Sequence, residues 1–465
     1  MTATTLAPPV RVGKPAVWAL GLLAASTGTL ESVVTPTLPL LQRELSMSPA
    51  QGALLSITML LTGALVTPVA GSLGDRHGGK RVMLRLMAVV ATGGLVSSLA
   101  PNLPVLLLGQ VLEGAMVGAM PLSFILVRKH LPAGAAQVAI GVVSGLFVGG
   151  GMLGTLMAGP VAEGLSRHWM FALPTIAIVA ATLLVHRLMP DDPPGRADAR
   201  IDWPGLALLS GILLTLMLGL ATAPELGGRP LALGALVLAL ALLVTGWTVV
   251  ERRSPSPMVD LRLVAKPAIW SSYVITFAVC LGTSVAMFLV PQLFAASADG
   301  YGFGAGSTDI GRYLLPGTVA GAVSGPLGGV VARRFGARTA VAAGIGVMTA
   351  TLVAMAFVHT EVWHLVVGKT LVALASGVCI TAMVVKTATS VDHGNTGTAT
   401  SLVLVIRVIG MAAGAQVSGA FLTAGTLPGA DDPAESAFAT GFVIAGAVTA
   451  LSLLAVRAMN KEVKA

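Results

Sequence analysis

Fourteen apolar stretches follow one another along this chain, and each is long enough to cross a lipid bilayer. A membrane helix needs about 20 mostly apolar residues and satisfies all of its own backbone hydrogen bonds. Two of the longest stretches, 131–162 and 267–298, contain no Asp, Glu, Lys or Arg. The predicted spans are 17–40, 52–73, 82–100, 104–127, 137–162, 169–189, 203–222, 230–250, 268–295, 310–332, 339–358, 363–387, 396–424 and 437–458.

The composition supports an all-α membrane protein and excludes several other classes. Only 10% of the residues are charged, whereas soluble domains carry about 25%. The net charge of +8 does not indicate nucleic acid as a partner, because the basic residues lie in short clusters between apolar stretches. Cys280 and Cys379 each lie within an apolar stretch, so they predict neither a disulfide framework nor a metal site.

The distribution of Lys and Arg predicts the orientation. With the N-terminus in the cytoplasm, 22 of the 28 Lys and Arg residues lie at cytoplasmic ends, four in outer loops and two within spans. Cytoplasmic loops of membrane proteins carry such an excess of positive charge. We therefore expect an even number of spans in the inner (cytoplasmic) membrane, with both termini cytoplasmic. We expect no cleavable signal peptide, because the first apolar stretch after Pro15 has no small-residue cleavage site and many more spans follow it.

An internal repeat divides the chain. Three segments recur in order at nearly one offset: 71–81 matches 329–338 at 258, 109–114 matches 368–373 at 259, and Gly150 and Gly154 match Gly410 and Gly414 at 260. Duplicated halves around a site at the middle of the bilayer are a recurring plan of secondary transporters. We expect six-helix halves at 1–190 and 263–465, with two inserted membrane helices at 191–262.

The segment 71–81 resembles the loop between helices 2 and 3 of major facilitator transporters, whose pattern is Gly-x-Leu-x-Asp-Arg-x-Gly-x-Lys/Arg-Arg. The resemblance implies the major facilitator fold and a cytoplasmic gate loop. An acid in this loop caps a helix or pairs with a cation, and the basic side chains are expected at the anionic cytoplasmic leaflet. A solvated charged turn is the alternative. The matching residues are Gly71, Asp75, Arg76, Gly78, Lys80 and Arg81.

In the second copy of this loop, Arg333 replaces the acid. We therefore expect a complete acid-centred gate in the first copy alone.

The fifth span is similar to the glycine-rich helix of exporters in this family. Its Gly150, Gly154, Gly159 and Pro160 allow close helix packing and a bend. Generic close packing is the alternative, and the family usually has Gly-Pro where this chain has Gly154 and Thr155. Together with the segment 257–262, the two extra central helices resemble the 14-helix drug:proton antiporter branch. That resemblance implies export of amphipathic compounds.

Four charges lie within predicted spans and away from their ends: Glu31, Glu113, Lys369 and Arg407. A charge at the bilayer centre costs roughly 2.5–3.5 kcal/mol on insertion scales, so these residues need partners, water or a function. Glu31 resembles the acid of the first span in the antiporter branch, which implies a protonatable site that binds cations. The alternative is a Glu hydrogen-bonded to Ser32 or Thr35 without a transport role.

We expect Glu113 and Lys369 to form an ion pair that bridges the two halves and breaks when a proton or substrate arrives. A permanent structural ion pair is the alternative. Arg407 occupies a place where the branch often has Arg, and it either pairs with an acid or holds helices together.

The predicted function is proton-coupled export of cationic or neutral amphipathic molecules by alternating access. The proton gradient supplies the energy, no cofactor is expected, and the protein is expected to be a monomer. The alternatives are a lipid or lipopeptide flippase, a proton-coupled uptake symporter, and a membrane scaffold without transport. The sequence has no catalytic or metal-binding constellation and no nucleotide-binding domain, so neither an enzyme nor an ATP-driven pump is expected.

Overall fold

The protein is described by a computed structural model covering residues 14–191, 203–226, 230–254, 267–298, 300–389, 396–426 and 432–458. Within these ranges the regular structure is helical. The helices are α1 Lys14–Ser32, α2 Val34–Glu44, α3 Pro49–His77, α4 Gly79–Ser98, α5 Leu103–Glu113, a 3₁₀ helix Gly114–Gly118, α6 Ala119–His130, α7 Ala133–Gly164, α8 Arg167–Leu188, α9 Trp203–Leu226, α10 Pro230–Arg253, α11 Pro267–Ala295, α12 Ser307–Phe335, α13 Ala337–Phe357, α14 Val362–Thr389, α15 Thr396–Gly425 and α16 Glu435–Ala458.

The helices confirm the expected all-α membrane fold. Within the described ranges, 12 helices are long and apolar enough to cross a bilayer, and the bent pair of α1 and α2 makes a thirteenth. In α9 the apolar part that can be described, Trp203–Ile212, is shorter than a span. The fourteenth span and the cytoplasmic position of both termini therefore stay predictions.

The first predicted span is a broken helix. α1 and α2 meet at Val33 with a bend of 42°. Pro36 has no N–H to donate to the carbonyl of Ser32, and its ring crowds that carbonyl, which favours a bend or break at this point. Glu31 consequently lies at the end of a helix and not in the middle of one.

The chain packs into two compact units. Unit 1 comprises Met1–Val33, Leu65–Gly154 and Ser166–Ile201, and unit 2 comprises Val34–Ala64, Thr155–Leu165 and Asp202–Ala465. The units are defined by packing and therefore cut across single helices, including α3 and α7. The division into halves at 1–190 and 263–465, with a pair of helices inserted at 191–262, stays a prediction.

Glycines bring α7 close to α1 in unit 1. A Cβ on Gly150 would lie 1.9 Å from the carbonyl oxygen of Ala25, and one on Gly154 would lie 2.3 Å from that of Thr29. The Thr29 hydroxyl donates to the carbonyl oxygen of Gly150 at 3.0 Å. Since lipid provides no hydrophobic force between helices, such close backbone contacts and hydrogen bonds hold the pair together.

The same arrangement recurs in unit 2. A Cβ on Gly410 would lie 2.6 Å from the carbonyl oxygen of Phe277, and one on Gly414 would lie 2.4 Å from that of Leu281. α15 therefore packs on α11 as α7 packs on α1, with two glycines one turn apart in each pair. These are the glycines that the sequence repeat matches.

The two copies of the repeated loop also turn in the same way, each at a glycine with a positive φ. Gly78 between α3 and α4 has φ 91°, and Gly336 between α12 and α13 has φ 84°. Residues with a Cβ rarely adopt such angles, and the two glycines are 258 positions apart, the offset of the loop in the sequence.

Gly150 supplies a test of the contact between α1 and α7. Gly150→Ala should lower thermal stability, because its Cβ would overlap the carbonyl of Ala25 and overpacking costs about 1–3 kcal/mol. Gly149→Ala is the matched control, since a Cβ there would meet no atom within 4 Å. The melting temperatures of the purified variants in detergent measure the difference, and equal values would contradict the packing described for unit 1.

Candidate functional site

Glu113 is the most deeply buried acid among the described residues of unit 1. It is 0% exposed and ends α5, where the α-helix changes into the 3₁₀ helix Gly114–Gly118. The side-chain amide of Gln110 donates to Glu113 Oε2 at 2.6 Å. The other carboxylate oxygen, Oε1, has no hydrogen-bond partner within the described residues.

The surroundings of this carboxyl come from α4. Ser97 of α4 is the second polar side chain beside Glu113, and a Cβ on Gly93 would lie 2.7 Å from the backbone nitrogen of Glu113. Glu113 therefore lies in the tight contact between α4 and α5. A short 3₁₀ segment within a span often marks a hinge, so the acid lies at a point where the span can change shape.

Glu31 lies in a different part of unit 1. It is partly exposed at the end of α1, two residues beyond Thr29, which hydrogen-bonds to α7. Glu31 takes part in an interaction of its own. Glu31 is thus a titratable group beside the bend at Val33, just as Glu113 is a titratable group beside the 3₁₀ helix Gly114–Gly118.

The predicted gate loop is described in part. The backbone around Asp75 and Arg76 is helical, but the side chains of both residues lie outside the described part of the structure, as does the environment of Gly71. Gly78 forms the turn between α3 and α4.

Lys80 is buried, which differs from the alternative interpretation of this loop as a solvated charged turn. Its side chain is 8% exposed, and Nζ donates to Asp191 Oδ1 at 2.9 Å, whereas Asp191 is 83% exposed. This hydrogen bond and the positive charge of Lys80 hold the pKa of Asp191 below its ordinary value, and Arg81 adds a smaller effect. The loop is thus tied to the segment that follows α8.

Lys369 lies in unit 2, about 10 Å into α14. It is 8% exposed and packs toward α12, where a Cβ on Gly317 would lie 3.4 Å from Lys369 Cγ. The predicted ion pair with Glu113 would join the two units and stays a prediction. Arg407 is partly exposed in α15, on the helix that packs against Cys280 of α11 through Gly410.

In unit 2, segments from the first predicted half pack against segments from the second. We call the polar contacts at this place the interlock. The amides of Gln42 and Gln292 hydrogen-bond to each other, and Arg43 donates to the carbonyl oxygen of Ala295 at 2.7 Å. Glu163 accepts from the backbone N–H of Thr308 at 3.2 Å and from its hydroxyl.

Small residues permit the interlock. A Cβ on Gly159 would lie 2.3 Å from the backbone nitrogen of Thr308, and one on Gly419 would lie 2.8 Å from the carbonyl oxygen of Pro49. Gly159 of the predicted antiporter helix thus serves the contact with α12, whereas Gly150 and Gly154 serve α1. Pro160 follows Gly159 within α7 and is exposed.

A cavity of about 1060 Å³ adjoins the interlock in unit 2. Helix ends and loops form its wall, which includes Gln42, Arg43, Gln292 and Asp432. Because helix ends and loops line it, the cavity is a vestibule at one end of unit 2.

Gln42, Arg43 and Glu163 were not predicted as functional residues. Each ends a span or follows one, where polar residues are ordinary, so the sequence offers no motif for them. A feature that they share is their location at helix ends of the first predicted half.

A model of the Major Facilitator Superfamily matches residues 20–415. The chain therefore belongs to the Major Facilitator Superfamily.

Among its relatives is the tetracenomycin C resistance and export protein of Streptomyces glaucescens, which is 25% identical over 360 residues, 75% of this chain and 66% of that protein. The uridine/deoxyuridine transporter of Lactococcus lactis subsp. cremoris is 27% identical over 314 residues, 66% of this chain and 65% of that protein. The chain thus spans slightly less than two thirds of the length of these relatives. The first of them confirms the expected resemblance to drug exporters.

The fold also has solved counterparts. The crystal structure of the nucleoside transporter NupG aligns with a TM-score of 0.70 at 13% sequence identity, covering 96% of this chain and 99% of that one. This likeness establishes a common fold.

Asp191 provides a test of the Lys80 contact. Asp191→Asn should lower thermal stability, because the buried ammonium of Lys80 would lose its carboxylate. Since the pKa of Asp191 is lowered, the pair contributes above the ordinary pKa of Asp, and its contribution is lost as pH falls through the lowered value. The difference in melting temperature between the native protein and the variant should therefore be full at neutral pH and shrink in acid.

Asp309→Asn is the control for this variant. Asp309 pairs with Arg312 at 3.2 Å, and both side chains are largely exposed, so the loss should be small. An Asp191→Asn variant as stable as Asp309→Asn would show that the Lys80 contact contributes nothing to the fold.

The interlock can be tested by cross-linking. In a chain with Cys280→Ala and Cys379→Ala, oxidation of the pair Gln42→Cys and Gln292→Cys should stop transport, and a reductant should restore it, because the contact must open during the cycle. The two single cysteine variants are the controls. Undiminished transport by fully cross-linked protein would show that the interlock stays closed throughout.

Proposed function

We propose that this protein is a proton-coupled secondary transporter that exports small amphipathic molecules, including cationic and neutral ones, by alternating access. The observation that carries the proposal is the carboxyl of Glu113, fully buried at a helix break within a membrane span. Family membership supports transport, and the tetracenomycin relative supports the direction of export.

Glu113 can accept a proton without rearranging its existing hydrogen bond. Gln110 holds Oε2, while Oε1 has no partner within the described residues. Burial away from water disfavours a charged carboxylate, so the arrival of a proton at Oε1 stabilises this arrangement. Loss of the proton leaves a charge in the contact between α4 and α5, which favours a shift at the adjoining 3₁₀ helix.

Glu31 is the second coupling acid of the proposal. The bend at Val33 separates it from α2, the helix that contributes Gln42 and Arg43 to the interlock. A proton or a cationic substrate on Glu31 changes the charge at this bend. That change gives a physical route from proton binding to opening of the interlock.

The proposed cycle uses two gates. The interlock closes the end that the Lys and Arg distribution predicts to be outside, and the loop of Gly71, Asp75, Arg76, Gly78, Lys80 and Arg81 belongs to the cytoplasmic end. Protons enter from outside and neutralise Glu31 or Glu113, after which the two halves rock and the released acid accepts substrate from the cytoplasm or inner leaflet. Gly150, Gly154, Gly159 and Pro160 provide the surfaces on which α7 moves.

The proposal places the chain as a monomer in the cell's inner membrane, with both termini cytoplasmic and the segment 191–262 as two inserted helices. The proton gradient is the energy source and no cofactor takes part. Lys369 and Arg407 contribute positive charge to the surface that binds substrate.

Transport of nucleoside-like metabolites is a second candidate. The similarity to the uridine/deoxyuridine transporter extends over 66% of this chain, about as far as the similarity to the exporter. Inhibition of transport by uridine at concentrations near those of a substrate would favour this candidate.

The coupling acids can be tested in proteoliposomes. An imposed proton gradient should drive ethidium transport by the native protein, and Glu31→Gln or Glu113→Gln should remove the dependence on the gradient, because an amide cannot carry the proton. The measurement is ethidium fluorescence with and without a protonophore.

Glu361→Gln is the control, since Glu361 is an exposed acid just before α14. Transport that keeps its dependence on the gradient in both the Glu31 and Glu113 variants would exclude them as proton sites. No ethidium transport by the native protein would favour the metabolite candidate.

A further inference from the structure

Lys369 is a buried cation without a partner in its own unit. It is 8% exposed, and it makes no hydrogen bond or ion pair with any described residue of unit 2. Gly317 of α12 leaves room for its alkyl stem, since even a Cβ there would lie 3.4 Å from Lys369 Cγ. The alkyl stem of Lys369 thus packs against α12, and its ammonium group has no hydrogen-bond partner among the described residues of unit 2.

The helices packed against α14 supply no carboxylate at the level of Lys369. These are α11, α12, α13 and α15, and the acid among their described residues is Asp309. Asp309 lies eight residues before Gly317, about 12 Å along the helix, and it is paired with Arg312. The nearest acid along the chain is Glu361, also about 12 Å away along the helix axis.

The other charged and titratable groups on these helices do not compensate the positive charge of Lys369 either. Arg407 adds a second positive charge, and the basic residues near the helix ends add more. Tyr273, Cys280, Tyr313, His364 and Cys379 provide no carboxylate. The charges away from the helix ends on these helices, Lys369 and Arg407, are therefore both positive.

An ammonium group removed from water is unfavourable unless an anion or a set of hydrogen bonds compensates it. We propose that Lys369 binds the acidic group, a carboxylate or a phenolate, of a transported amphipathic molecule, which would replace Glu113 as its counter-ion if the predicted ion pair forms. The inference rests on the proposed function and adds acids to the cationic and neutral compounds that Glu31 and Glu113 favour. The apolar spans around Lys369 suit the apolar body of such a molecule.

The test compares an acid with its ester. We would measure binding of 1-pyrenebutyrate and of its methyl ester to the purified full chain in lipid nanodiscs, because the two differ only in the charge that Lys369 would recognise. The native protein should bind the acid at least about tenfold more tightly, as a charge-assisted hydrogen bond contributes about 1.5–3 kcal/mol.

The variants separate charge from folding. Lys369→Gln should abolish the preference for the acid over the ester, while Lys369→Arg should retain it. The ratio of the two affinities is insensitive to a general loss of active protein. Equal binding of acid and ester by the native protein, no binding of the acid, or an unchanged ratio in Lys369→Gln would overturn the proposal.

Two further measurements show whether the preference for the acid arises from a substrate site or from a simple anion site, and whether the protein transports ethidium. Acetate should compete only weakly, because a bare carboxylate lacks the apolar body, and strong competition by acetate would indicate a simple anion site and overturn the proposal. Gradient-driven ethidium transport by the same preparation tests the proposed function separately. Ethidium transport without a preference for the acid would refute the role of Lys369 and leave the exporter proposal standing.

Discussion

Close backbone contact between helices is the interaction on which this structure depends. In lipid, each span satisfies its own hydrogen bonds, and apolar side chains gain little by leaving the bilayer. Helices are then held by surfaces that fit at short range, and glycine provides them. Gly150 and Gly154 bring α7 against α1, and Gly410 and Gly414 bring α15 against α11 in the same manner. The repeated sequence is thus also a repeated contact.

Movement in such a bundle requires places where regular helix is interrupted. Pro36 interrupts the first span at Val33, and the 3₁₀ helix after Glu113 interrupts the span of α5 and α6. Both interruptions lie beside an acidic residue. A change of charge at a point where backbone geometry is already irregular costs less rearrangement than the same change within a continuous helix, which explains why proton binding and bending would occur together.

The sequence predicted the membrane spans and the repeat because both arise from local pattern: apolar length in one case and recurring glycines in the other. The bend after Glu31 was missed, although Pro36 was visible, because a span containing proline need not break. The burial of Lys80 and the contacts of Gln42, Arg43 and Glu163 were also missed. Each depends on a partner more than 100 residues away, and no local pattern encodes such a distance.

The four charges that the sequence analysis placed within spans are divided by sign between the two units. Glu31 and Glu113 belong to unit 1, whereas Lys369 and Arg407 belong to unit 2. Acidic side chains favour cationic substrates and basic side chains favour anionic ones, and the charge of the substrate determines how the membrane potential would drive export. If one proton enters per molecule, export of a cation moves no net charge, whereas export of an anion moves two positive charge equivalents inward. Each charge that crosses the membrane contributes about 2.3 kcal/mol for each 100 mV of potential. A potential of 100 mV would then contribute about 4.6 kcal/mol to the export of an acid and nothing to the export of a cation.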